Sequence, residues 1–269
     1  MEIQDKYLSL EGKVAIITGA GSGIGLAVSQ LYVKYGAKVA MVDISDKCQE
    51  EADKIGDSAK FFKCNVSSEA DVKATVEAVK AAFGRIDILV NNAGIIVRKT
   101  VLDTTEEEWD RCLDIGLKGV FLFSKHTVPI MIEQGGGVIV NTASGAAIKG
   151  VPDSAPYNAY KGGVAALTRG MAVDFGKYNI RVNCVCPGDI ITPMLISEGI
   201  QTGKITTADP KTPEEKEAME KFLESCGSYR PLRRIATAEQ IAYTFLFLAT
   251  DMSVYATGGS FVVDGGRCS

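Results

Sequence analysis

Short apolar runs alternate with segments of helical period along almost the whole chain, and this alternation restricts the fold more than any other feature. Val14-Ala15-Ile16-Ile17 is apolar at every position, the pattern of a strand covered on both faces. A segment with Ile24, Ala27, Val28 and Leu31 at helical spacing follows and stops at Gly36, a residue suited to ending a helix. The same unit recurs, with further strands expected over 38–42, 61–66, 86–90, 137–142, 181–186 and 260–263. Helices are expected over 24–35, 47–55, 69–83, 105–132, 156–178 and 235–249, the long one over 105–132 interrupted by Gly116 and Gly119. Strands buried on both faces need helices on both sides. The pattern therefore predicts one α/β domain over residues 1–269, a doubly wound parallel sheet of Rossmann type with ligands beyond the strand C-termini.

Residues 193–231 are too many for an ordinary connection. Within them Thr212-Pro213-Glu214-Glu215 is a helix start, and Ala218, Met219, Phe222 and Leu223 form an apolar stripe. Because the segment follows a strand C-terminus, it is expected to be a helical lid over a substrate.

Composition closes off several classes. A net charge of −4 lacks the basic face that a nucleic acid requires. Seven cysteines form no CxxC pair and His126 is the one histidine, so no metal site is expected; reduced thiols in a cytoplasmic protein are the plainer reading. Residues 1–10 carry mixed charge without the apolar core of a signal peptide, and no uninterrupted apolar run reaches membrane-spanning length.

Two constellations carry chemistry. Tyr157 and Lys161 are one helical turn apart, so they share a face. An ammonium beside a phenol favours the phenolate and makes tyrosine usable as an acid or base. Thr18-Gly19-Ala20-Gly21-Ser22-Gly23-Ile24-Gly25 follows the first strand and opens a helix, an arrangement that suits a pyrophosphate.

With Asn91-Asn92-Ala93-Gly94, Ser144 upstream of Tyr157, and Pro187-Gly188-Asp189-Ile190-Ile191-Thr192, these motifs make the chain resemble the short-chain dehydrogenase/reductase family from about residue 10 to residue 266. The resemblance implies an NAD(H)-dependent oxidoreductase interconverting a secondary alcohol and a ketone. Tyr157 would be the proton donor or acceptor, Lys161 would acidify it and bind the nicotinamide ribose, and Ser144 would hold the reacting oxygen. Gly19, Ser22, Gly23, Ile24 and Gly25 would meet the pyrophosphate, Asn65 and Val66 the adenine, and Asn91 and Gly94 the cofactor's flank. The Asn65 side-chain carbonyl would accept from the exocyclic amine. Pro187, Ile190 and Thr192 would meet the carboxamide end. Asp43, at the end of the second strand, would accept both ribose hydroxyls and repel a 2′-phosphate, which favours NAD over NADP. Family members with this helix pattern form tetramers through two long helices, so a homotetramer is expected.

One position departs from the family. Gly116 stands where an asparagine commonly kinks the long helix and its main-chain carbonyl holds a water of a proton relay. Glycine still supplies that carbonyl, so a working relay is expected; a cofactor-binding module without turnover is the alternative. For the substrate, Ile96, Val97, Ala146, Ala147, Ile148, Met194, Met219 and Phe222 are expected to make an apolar rim without clustered cations, which favours a hydroxysteroid. Asp189 and Glu198 keep a polyol or sugar open. A 3-oxoacyl-carrier-protein reductase is a further alternative, weakened by Gly135 and Val173 where such enzymes often carry arginines.

Overall fold

A computed structural model describes residues 7–269; of the segment read as lacking a leader, residues 1–6 lie outside the described residues. Seven strands form one parallel sheet: β1 (Val14–Thr18), β2 (Lys38–Asp43), β3 (Ala59–Lys63), β4 (Ile88–Asn91), β5 (Gly137–Thr142), β6 (Ile180–Pro187) and β9 (Ser260–Val263). Their order is β3-β2-β1-β4-β5-β6-β9. The chain thus runs outward from β1 to β3, returns to β4 and runs outward the other way. This reversal parts the connections above β1 and β4, where Ile17 pairs with Val90, and opens a crevice at their C-terminal ends.

Period-two alternation divides the core. Ala15 and Ile17 face one layer with Val28, Met41, Val90, Ile241 and Phe245, whereas Val14 and Ile16 face the other with Val42, Val76, Leu89, Phe123, Ile139 and Val182. Helices α1 (Gly23–Lys34) and α9 (Ala238–Ala249) cover the first face. The second is covered by α3 (Glu69–Phe83), α5 (Gly119–Glu133) and α6 (Ala155–Phe175). Helix α2 (Lys47–Ile55) packs beside β2 and β3.

Several elements differ from expectation: α9 begins at Ala238 rather than 235, α6 ends at Phe175 rather than 178, and three others depart further in form. The third strand begins at Ala59 and ends at Lys63 rather than running to 66, because Asn65 turns the chain by accepting from the Ser67 N–H at 3.1 Å. The fourth begins at Ile88, two residues later than read. The long helix is three pieces: α4 (Glu106–Leu113), a π-helical turn over Asp114–Lys118 centred on Gly116, and α5. A capping box between Thr105 and Glu108 starts α4. By length and composition alone the run Glu106–Glu133 could cross a membrane, but half of its most apolar window is buried inside the protein, as in a core helix.

Residues 193–231 contain α7 (Pro193–Gln201) and α8 (Pro213–Ser228). Leu195, Ile205, Phe222 and Cys226 give this segment a small core of its own. A two-stranded ribbon, β7 (Ile190–Ile191) with β8 (Ala236–Thr237), ties its base to the start of α9.

Candidate active site

The C-terminal ends of β1, β4, β5 and β6 open on a cleft of about 600 Å³. At one end lies the glycine loop. Gly19 and Gly23 have φ of +65° and +55°, the left-handed region that favours glycine. Ser22 makes no side-chain cap to α1, and the first turn of α1 carries no acidic residue. The helix therefore offers unpaired N–H groups and its positive end to the cleft, the arrangement a pyrophosphate needs. Asp43 is held at the mouth: its carboxylate accepts from the Gly21 N–H at 2.9 Å and the Ser45 N–H at 3.0 Å. Ile44 beside it is exposed and uncharged. These groups fit a dinucleotide.

The strand ends are cross-linked by polar side chains. Thr18 Oγ1 accepts from the N–H groups of Asn92 and Ala93, and Asn92 Nδ2 donates to the carbonyls of Thr18 and Gly19. Thr142 Oγ1 donates to Asn92 Oδ1 at 3.2 Å. Lys161, on α6 and 4% exposed, donates to the Thr142 carbonyl at 2.6 Å. Burial pulls its pKa down to about 8. Ser144 follows β5, and its Oγ accepts from the Ala146 N–H at 3.1 Å.

Tyr157 stands half-buried on α6, with Lys161 Nζ 5.7 Å from its ring centre. The expectation of an acidified phenol is not met in this arrangement. Burial pushes its pKa up to about 12, with the nearby Ser144 hydroxyl acting in the opposite sense. The ammonium faces the Thr142 carbonyl, so the desolvation of the phenol dominates.

Gly19, Ser22, Gly23, Ile24, Asp43, Asn65, Val66, Gly94, Ser144, Tyr157, Lys161, Pro187, Ile190 and Thr192 all line this one cleft. Two residues from the sequence reading do not. Asn91 is buried beneath it, donating to Asn141 Oδ1 at 2.9 Å, and its neighbour Asn92 takes the cleft position. Gly25 instead allows α1 to pack on the Gly19 carbonyl. Asn65 reaches the cleft, but its side-chain carbonyl already accepts from both the N–H and the hydroxyl of Ser67.

The substrate end departs furthest from expectation. Ile96 and Met194 line the cleft, whereas Val97, Ala146, Ala147, Ile148, Met219 and Phe222 are absent from its wall. Phe222 turns inward, 4% exposed, into the core of the 193–231 segment. Charged side chains share that wall with Ile95, Val151 and Leu195: Arg98 pairs with Glu198 at 3.1 Å, Arg267 pairs with Asp189 at 3.1 Å, and Lys204 and the neutral phenol of Tyr229 stand alongside. Arg98, Lys204 and Arg267 are far apart in sequence and share no motif, so only the fold brings these cations together.

A glycine cradle, a carboxylate at its mouth, and a serine, a tyrosine and a lysine at the far end define a nicotinamide-dependent oxidoreductase. The comparisons carry this to the family. A family model described as enoyl-(acyl carrier protein) reductase matches residues 19–267. An uncharacterized oxidoreductase of Thermotoga maritima is 40% identical over 265 residues, covering 96% of this chain and 98% of that protein. The structure of levodione reductase superimposes with a TM-score of 0.86 at 36% identity, covering 96% of this chain and 98% of that one. The 3-ketoacyl-(acyl-carrier-protein) reductase of Brucella melitensis, solved with NADH, gives 0.84 at 36% identity, covering 97% and 100%. The chain belongs to the short-chain dehydrogenase/reductase family and acts on CH–OH groups.

Proposed function

We propose that this protein is an NAD-dependent dehydrogenase/reductase for a polar, hydroxylated secondary alcohol or its ketone, with residues 193–231 as the substrate lid of a single domain. The observation that carries this reading is one cleft holding Asp43 at its mouth and Ser144, Tyr157 and Lys161 beside a charged wall. Bound nicotinamide supplies or accepts the hydride. Ser144 donates a hydrogen bond to the reacting oxygen, and Tyr157 gives that oxygen a proton in reduction or removes it in oxidation. Lys161 keeps positive charge near the phenol.

The charged wall moves the polyol or sugar reading ahead of the hydroxysteroid. Substrate hydroxyls can donate to Glu198 and Asp189 and accept from Arg98 and Arg267, whereas a steroid skeleton would desolvate those ions without replacing their hydrogen bonds. Asp43 and the uncharged Ile44 support NAD over NADP. NAD⁺ is expected to exceed NADP⁺ in kcat/KM by about a hundredfold, or about 2.7 kcal/mol. Asp43→Ala should narrow that gap by admitting the 2′-phosphate.

The test is nicotinamide absorbance with both cofactors and a panel of polyols, sugars, hydroxysteroids and 3-oxoacyl thioesters. Polyols or sugars should lead, and a steroid ahead of them would overturn the substrate assignment. Equal use of the two cofactors would overturn the NAD assignment. A second reading, reduction of a 3-oxoacyl group on an acidic carrier protein, draws support from the likeness to the Brucella enzyme and from Arg98, Lys204 and Arg267 at the cleft. Preference for the thioester would select it. No turnover with any member would favour a binding module.

The lid assignment has a separate check. Met194, Leu195 and Glu198 of α7, with Ser225 and Cys226 of α8, line the cleft, and Phe222 joins the two helices through Gly199 and Ile205. Phe222→Ala leaves a cavity between them. The substrate KM should rise about tenfold while NAD affinity stays within about twofold; unchanged KM and kcat would make the segment a surface feature.

A homotetramer formed through the long helices is supported by the exposed side chains of Trp109, Phe121 and Val173 on α4, α5 and α6. A cytoplasmic setting is supported by seven free thiols, six of them buried.

A further inference from the structure

We propose that Tyr160 is a positioning residue for the Tyr157–Lys161 pair, and that residue 116 is glycine because the Tyr160 ring occupies the space a side chain there would need. The inference rests on the catalytic reading of Tyr157 and Lys161 given above. Tyr160 is fully buried. A Cβ placed on Gly116 would lie 2.5 Å from two carbons of its ring, closer than any real contact. The π-helical turn and the missing Cβ together make the slot that the ring fills.

From that slot the ring touches both groups of the pair. It meets Tyr157 edge to face, with ring centres 5.2 Å apart and planes at 80°. Its centre is 5.1 Å from Lys161 Nζ, nearer than that of Tyr157 at 5.7 Å. The buried ammonium thus has an aromatic ring and the Thr142 carbonyl as neighbours. The Tyr160 hydroxyl donates to the Ile95 carbonyl at 2.8 Å, which anchors the ring to a segment lining the cleft. Tyr160 therefore bridges the π turn, the ammonium, the phenol and the cleft wall. A side chain at 116 therefore requires the Tyr160 ring to leave this position.

The experiment is a double-mutant cycle on the full-length enzyme, with kcat, substrate KM, NADH affinity and thermal melting read for each variant. Tyr160→Phe keeps the ring and should hold kcat within about threefold. Tyr160→Ala should lower kcat at least thirtyfold with NADH affinity within about twofold, and Tyr160→Leu, which refills the volume without a π face, should lose kcat similarly. Gly116→Ala should be severe alone yet cost less than about twofold when added to Tyr160→Ala.

Parent-level kcat in Tyr160→Leu, or a Phe variant no better than the Leu variant, would overturn the positioning role. An equal cost of Gly116→Ala in both backgrounds would overturn the pairing. Should the parent bind NADH yet turn over no alcohol or ketone, the catalytic reading falls and the positioning role with it. The pairing is then judged from melting alone, where additive losses overturn it.

Discussion

Tyr157→Phe is expected to lower the rate of hydride transfer by about three orders of magnitude, or about 4 kcal/mol of barrier, with NADH binding nearly unchanged. The substitution removes one hydroxyl and no packing, so a structural loss should be small. With its pKa at about 12, Tyr157 is a phenol at neutral pH and stands ready to donate. Reduction of a ketone should therefore vary little between about pH 6 and 8. Oxidation of the alcohol needs the phenolate, whose fraction grows as pH climbs toward the pKa, so its kcat/KM should rise with pH up to about 8, above which Lys161 sheds the positive charge beside the phenol. Stopped-flow measurement of single-turnover rates against pH separates the two directions. A flat oxidation profile, or a phenylalanine variant within about tenfold of the parent, would remove Tyr157 from its role.

The largest structural effect is expected from Gly25→Ala. A Cβ there would sit 2.1 Å from the Gly19 carbonyl oxygen and 2.7 Å from Asn92 Nδ2. A main-chain carbonyl cannot rotate away as a side chain would, so α1 must lift off the loop. Overpacking of this kind typically costs about 1–3 kcal/mol, which for a chain of this size lowers Tm by several degrees. The helix end also leaves its place beside Gly19, and NADH affinity should fall at least a hundredfold by fluorescence titration. Parent-like melting together with parent-like affinity would show that the tight approach of loop and helix is unnecessary.

How far the chain could be read before its structure depended on how local each signal was. The fully apolar run 14–17 and the helical stripe of Ile24, Val28 and Leu31 report their own burial, so the parallel sheet and its flanking helices were legible. The motif residues Gly19, Ser144, Tyr157 and Lys161 were likewise visible and meet in one cleft. Side-chain direction was not. Met219 and Phe222 form an apolar stripe whichever way α8 turns, and the stripe faces a core internal to the 193–231 segment. Asn91 ends β4 and Asn92 follows it, and the motif does not say which of the two enters the cleft. Arg98, Lys204 and Arg267 meet only after three distant segments fold, so no window of sequence contains them. In sequence Gly116 is only a missing asparagine, because the Tyr160 ring packed against it comes from a distant helix.

Lys161 also ties the protein's durability to its proton balance. Its ammonium is buried against a carbonyl and aromatic faces and has no carboxylate partner among the described residues. The folded chain holds this proton less tightly than the unfolded one: about 8 in place of 10.5. Below about pH 8 both states carry the proton and the penalty of burying the charge is present in full. As pH rises from there toward 10.5, the unfolded chain keeps a proton the folded one has shed, so this group's penalty diminishes. At neutral pH the native state thus carries a local instability at the position where proton transfer needs a positive charge, only partly offset by the Thr142 carbonyl and the two rings, with no carboxylate among the described residues to balance it.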